Sequence, residues 1–155
     1  MRPSICLADD SSVITASTNP ELDVLQVVPE PVVNLDDARQ FQDEILPKVS
    51  RTFALTIPQL PTGLREAVAN AYLLCRIADT IEDEVSLTDE EKNHFHQQFI
   101  SVIDNKGSAH QFAKALVPLL SDATIPAERD LIDRTAEVIC VTHNLHPNQQ
   151  DALLK

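Results

Sequence analysis

Three carboxylates, Asp79, Glu82 and Asp83, stand at i, i+3 and i+4, with Arg76 three residues before the first and Tyr72 one turn further back. At about 100° per residue these five fall within an arc of about 120° on one side of a helix, while Leu73, Leu74, Ile77 and Ile81 take the other side. With about 6 Å between them and an effective dielectric near about 20, each carboxylate pair repels by about 3 kcal/mol. The trio therefore needs a cation among its members, and Arg76 offsets only part of the repulsion. Hard divalent cations prefer oxygen ligands, and Mg²⁺ is commonly held by one or two carboxylates plus phosphate oxygens and water. The stripe reads as a site for Mg²⁺ and a diphosphate.

An acidic chain produces such patterns readily. The sequence has 14 Asp in 155 residues, and a D-x-x-[DE]-[DE] match is expected about 0.3 times by chance, so taken alone it describes a solvated acidic turn. What sets it apart is its frame: an aromatic seven residues before, an arginine three before, and apolar flanks free of lysine. Other candidates carry less. His94 and His96 face apart on a helix, His143 and His146 straddle a helix end before Pro147, and metal binding by either pair is set below about one in ten. Cys75, in an apolar helix, reads as a buried structural thiol. Asp130, Asp133 and Glu137 are interleaved with Arg129 and Arg134, which favours a salt-bridged solvent face over a metal site by about four to one.

A helix from about Leu64 to Glu84 must position the stripe. It contains no lysine, and its only strongly polar residues before Arg76 are Arg65, Glu66 and Asn70. A single polar stripe in apolar surroundings places such a helix in the interior, with the stripe toward a cavity. Upstream, Ala38, Phe41 and Ile45 behind Asp36 and Asp37 predict a short helix ending near Pro47, followed by a tight segment over 49–55 closed by Pro58 and Pro61. Downstream, Thr88 and Glu91 form a capping box that takes in Asp89 and opens a helix through Phe95, Phe99, Val102 and Ile103 to a stop at Gly107. A further helix carries Phe112, Ala115, Leu116 and Leu119. Another starts at Pro126 and runs through Leu131, Thr135 and Val138 to the break at His146-Pro147, where residues 148–155 begin one more.

Composition sets the frame around these elements. A net charge of −12 argues against nucleic acid as a partner. Two glycines and six aromatics leave little material for hairpins, Gly-rich phosphate loops or an aromatic β core, so the fold class is all-α, a bundle of about six helices. Three well-separated cysteines fit neither a disulfide framework nor a CxxC zinc site and point to a reducing compartment. No window suits a membrane span or a secretory signal, so the expected location is cytoplasmic. Residues 1–34, with four prolines and one cation, are expected to form a poorly ordered leader, and 35–155 the helical domain.

The run Ser50-Arg51-Thr52-Phe53, the stretch Leu64 to Val68, and Tyr72 to Glu84 with its D-T-I-E-D core closely resemble the squalene/phytoene synthases, over most of residues 40 to 90. The D-T-I-E-D form is similar to the squalene branch. The resemblance implies a helical bundle of the isoprenoid synthase type, truncated at its C-terminal side, of which this chain is the N-terminal part. It implies that two farnesyl diphosphates are joined head to head through presqualene diphosphate to squalene, with Mg²⁺ on Asp79, Glu82 and Asp83 and hydride from NADPH. It further implies phosphate contacts by Arg51 and Arg76, a flap at Ser50 and Phe53, and a pocket wall at Tyr72. A guanidinium suits the phosphate role, being always charged and presenting a planar fork of donors. The family's second acidic motif is not matched, which implies a missing C-terminal half as partner, and a peripheral membrane contact is left open. Phytoene-type condensation without reduction, or a non-catalytic acidic helical module for a basic partner, are the alternatives.

Overall fold

A computed structural model describes residues 30–153, and among them the regular structure is entirely helical. Most of the expected leader, residues 1–29, lies outside the described residues. Eight α-helices follow one another: α1 (Leu35–Val49), α2 (Arg51–Thr56), α3 (Thr62–Asp83), α4 (Asp89–Ile103), α5 (Ala109–Leu116), α6 (Pro126–Asp133), α7 (Thr135–Asn144) and α8 (Pro147–Leu153), with 3-10 turns after α2 and α5.

Local chemistry explains most boundaries. Asn34 caps α1, its side chain accepting from the Asp36 amide at 2.8 Å. The expected stop at Pro47 is overrun by half a turn to Val49. A proline in the last turn removes one hydrogen bond, and the Ser50 amide still closes the helix onto the Leu46 carbonyl. The tight segment after it is the short helix α2, capped by Ser50 Oγ on the Phe53 amide at 3.2 Å. The Thr88–Glu91 capping box is present in both directions.

The stop after α4 differs from the expected one. Asn105 takes the left-handed conformation (φ 58°), and the amides of Lys106 and Gly107 both reach the Ser101 carbonyl. Gly107 serves a close approach, since a Cβ there would lie 3.3 Å from Ser101 Cβ and from Val102. The single helix expected from Pro126 to His146 is two helices, broken at Arg134 (φ −103°, ψ 32°). There the buried Thr135 hydroxyl donates to the Ile132 carbonyl at 2.7 Å, a local bond that competes with continuation of the helix.

Helix α3 is the centre of the bundle and touches α1, α4, α6 and α7. Its Leu73, Leu74, Ile77 and Ile81 are buried together with Ile45, Leu116, Leu131 and Ile132, and Phe99 and Phe112 stack at 5.5 Å on the α4–α5 side. One polar pair lies within this core: Asn70 donates to the Val138 carbonyl at 2.9 Å and accepts from Thr142 Oγ1 at 2.8 Å, joining α3 to α7. No helix among the described residues is long and apolar enough to cross a membrane.

Candidate functional site

The segment 50–53 and Tyr72 are brought together. The Phe53 ring stacks on Tyr72 with centroids 4.4 Å apart, and the Tyr72 hydroxyl donates to the Val49 carbonyl at 3.3 Å. Ser50 is engaged as the α2 cap, while Arg51 is exposed. The ring stack therefore sets α2 against the middle of α3, and the hydrogen bond ties the end of α1, just before α2, to the same residue.

Arg76, one turn beyond Tyr72, points its guanidinium at Glu128 of α6, and Nη2 donates to Glu128 Oε1. It is thus engaged away from the acidic trio, and its Nε is buried without a partner among the described residues.

Asp79, Glu82 and Asp83 are all exposed. Among the described residues α3 is interior on its apolar side, as expected, and no neighbour closes a cavity over its carboxylate side, which opens to solvent. Water around carboxylates so placed raises the effective dielectric beyond about 20 and lowers their mutual repulsion. Glu82 also has company from α4, with His96 Nε2 at 3.3 Å from its carboxylate and Lys92 Nζ donating to its main-chain carbonyl. Among the described residues no three His, Cys, Asp or Glu side chains form a metal cage. The donor set of hard oxygens fits Mg²⁺ only in the mode where diphosphate and water complete the shell.

The last turn of α3 violates a local rule. It carries Glu82 and Asp83 and no base, although a helix C-terminus repels negative charge. Glu84, just past the end, is compensated by burial in hydrogen bonds. Its Oε1 accepts from the Ser86 amide at 2.9 Å and its Oε2 from the Ser121 amide at 2.9 Å and Thr124 Oγ1 at 2.6 Å. Burial works against its ionisation, but the donors from Ser121, Thr124 and Ser86 outweigh it and hold the carboxyl well below the usual range. This buried acid escaped the sequence reading. The signal was available, because Glu84 falls at about 120° from Tyr72 on the helical wheel, between Leu73 and Ile77. Asn70 is on the same apolar side.

The remaining candidates resolve individually. Cys75 is exposed rather than buried, since the wheel puts it at about 300°, beside Glu82. His143 Nε2 is 2.9 Å from the Ile103 carbonyl and serves the packing of α7 against the end of α4. Arg134 pairs with Glu137 at 2.8 Å and lies 3.9 Å over the Phe41 ring. Arg129 reaches no acid among the described residues. It donates to the carbonyls of Val117, Leu120 and Ser121, tying the α5–α6 connection to α6.

Fold and site together define an all-α domain whose central helix carries an exposed carboxylate-rich end and, two turns before it, Tyr72 stacked on Phe53. A family model described as squalene/phytoene synthase matches residues 46–142, and the chain belongs to that family. It is 52% identical over 48 residues to a squalene synthase of Solanum lycopersicum, covering 31% of this chain and 12% of the relative. A squalene synthase of Schizosaccharomyces pombe is 39% identical over 64 residues, 41% of this chain and 14% of the relative. A lycopaoctaene synthase of Botryococcus braunii is 42% identical over 57 residues, 37% of this chain and 13% of the relative. The match thus spans about an eighth of the length of these curated relatives. No solved structure matches the chain at the significance these relatives reach.

Proposed function

We propose that the chain supplies one wall of a prenyltransferase site that condenses two farnesyl diphosphates head to head, through presqualene diphosphate, to squalene. The observation that carries this reading is the end of α3, where Asp79, Glu82 and Asp83 are exposed against their own helix dipole while Arg76 is committed to Glu128. Among the described residues Lys92 and His96 answer only Glu82, and Asp79 and Asp83 pair with no base, a local rule left broken of the kind that marks where a ligand supplies charge. The squalene synthases among the relatives support the choice of reaction.

Mg²⁺, when bound, would be held by Asp79, Glu82 and Asp83 with diphosphate oxygens, and would supply positive charge to the departing diphosphate. Arg51, exposed at the start of α2, presents its guanidinium to a phosphate of the substrate or of NADPH, the hydride donor this reading requires. Phe53 and Tyr72 form a stacked apolar surface beside it, suited to covering a prenyl chain. A second set of carboxylates facing these is part of the proposal and would come from outside the present 155 residues.

Calorimetry and thermal melting of the chain with Mg²⁺ and inorganic diphosphate test the reading. The two together should raise the melting temperature of the parent, and Asp79→Asn, Glu82→Gln and Asp83→Asn should each remove most of that rise. In a protein of the relatives' full length, each substitution should lower turnover by about a hundredfold or more, the scale of a lost transition-state contact. The open exposure of the trio favours one second reading, a non-catalytic module for a basic partner. Tight binding of a lysine-rich peptide with indifference to Mg²⁺-diphosphate would establish that instead.

A further inference from the structure

Glu84 is the buried carboxylate that the proposed chemistry leaves unused, and it joins the end of α3 to a connection 37 to 40 positions further along the chain. It follows Asp83 at the C-terminus of α3, where the backbone turns to an extended conformation (φ −67°, ψ 115°). One oxygen accepts from the Ser86 amide, and Ser86 Oγ lies 2.9 Å from the same oxygen. That hydroxyl is also in reach of the Leu119 carbonyl, so its single proton serves one of the two at a time. The other oxygen accepts from the Ser121 amide and the Thr124 hydroxyl in the connection before α6.

That connection is itself anchored. Arg129 of α6 donates to three of its carbonyls, and on the same helix Glu128 holds Arg76. The final turns of α3 are thus tied to α6 at two points, Arg76 and Glu84, and the three exposed carboxylates lie between them in sequence. A helix end carrying like charges frays readily because those charges oppose the dipole, and here Lys92 answers one of the last carbonyls, that of Glu82. We propose that Glu84 is a positioning residue that prevents this fraying and so sets the spacing of Asp79, Glu82 and Asp83 for a metal-diphosphate. It rests on the reading of the acidic face given above. Thr124, nine-tenths buried and 2.6 Å from Glu84, is the second half of the clamp.

The test uses the full chain and four proteins: parent, Glu84→Gln, Thr124→Val and Thr124→Ser. In Glu84→Gln an amide NH₂ must face one of the two backbone N–H donors. Thr124→Val removes one donor while keeping shape, so it remains informative if Glu84→Gln does not fold. Two readouts are taken well below the melting temperature, amide hydrogen exchange along α3 and Mn²⁺ affinity by electron paramagnetic resonance in the presence of inorganic diphosphate. Thr124→Val should speed exchange over residues 80–86 while leaving α7 protected, and weaken Mn²⁺ by about tenfold, the scale of losing an outer-shell partner. Thr124→Ser, which keeps the hydroxyl, should match the parent on both. Unchanged exchange at the end of α3 in Thr124→Val overturns the proposal. Faster exchange with unchanged Mn²⁺ affinity overturns it as well, leaving Glu84 a structural pin only. If the parent itself binds no Mn²⁺, the reading of the acidic face fails, and the exchange contrast between Thr124→Val and Thr124→Ser alone decides whether Glu84 holds the helix end.

Discussion

Arg76 of α3 donates to Glu128 of α6 across 52 positions of sequence, with side chains 30% and 12% exposed respectively. The bond turns the one cation of the acidic stripe away from its three carboxylates and makes it a tie between helices.

Because Glu128 is largely buried, removing either partner strands a half-desolvated charge. Glu128→Ala should lose about 1–2 kcal/mol, less than for a fully buried pair because Arg76 retains access to water. Arg76→Met combined with Glu128→Leu should recover much of that loss, since an apolar pair leaves no charge unmatched. A double-mutant cycle in urea measures the coupling, and a value near zero would show that the pair contributes no stability.

Phe53 of α2 stacks on Tyr72, whose hydroxyl holds the end of α1 just before it, so substitutions at these two rings should act locally. Tyr72→Phe removes the bond to the Val49 carbonyl and should cost about 0.5–1.5 kcal/mol. Phe53→Ala should leave the global melting temperature nearly unchanged, because Phe53 is 42% exposed, while hydrogen exchange in α2 accelerates. A large drop in melting temperature would show that α2 belongs to the core.

In the α4 capping box, Glu91 accepts from the Thr88 amide and hydroxyl, and these bonds hold its carboxyl below the ordinary glutamate value. A carboxyl depressed by folding adds stability that is complete above the ordinary glutamate range and is lost as pH falls through that range and below it. Exchange of the Thr88 and Glu91 amides, the two backbone donors of the box, should therefore quicken, after correction for intrinsic rates, between about pH 6 and about pH 3. Thr88→Ala keeps the amide that donates to Glu91 and should only reduce that pH dependence, while costing about 1 kcal/mol of stability, whereas Glu91→Gln should abolish it.

The two described cysteines should differ in reactivity. Cys75 is exposed on α3, whereas burial first, and the nearby Glu137 second, push the Cys140 thiol up. Limited alkylation of the native chain followed by peptide mass spectrometry should label Cys75 well before Cys140. Equal labelling would indicate that α7 opens readily.

Asn70→Leu keeps the branched shape of the side chain, though its methyl groups are larger, and leaves the Thr142 hydroxyl its bond to the Val138 carbonyl at 2.9 Å. The loss should be about 1–3 kcal/mol, whereas Asn70→Asp, which buries a charge, should cost more. Urea unfolding separates the two.

Much of this molecule was legible in one dimension because helices are local objects. The capping box at Thr88 and Glu91, the proline start of α6 and the apolar side of α3 through Leu73, Ile77 and Ile81 depend on residues within a few positions of one another, and the structure shows all three. The same period placed Tyr72, Arg76, Asp79, Glu82 and Asp83 along one stripe, and the squalene/phytoene synthase family was readable from that frame. The wheel also contained the positions of Asn70, Cys75 and Glu84, but their meaning depended on what packs opposite. Only the tertiary structure decided that Arg76 would pair with Glu128, that Glu84 would be buried by Ser121 and Thr124, and that the acidic stripe would stay open to water. A helical period fixes the angle at which a side chain leaves its axis, whereas a charge takes its partner and its dielectric from elements that are far away in sequence.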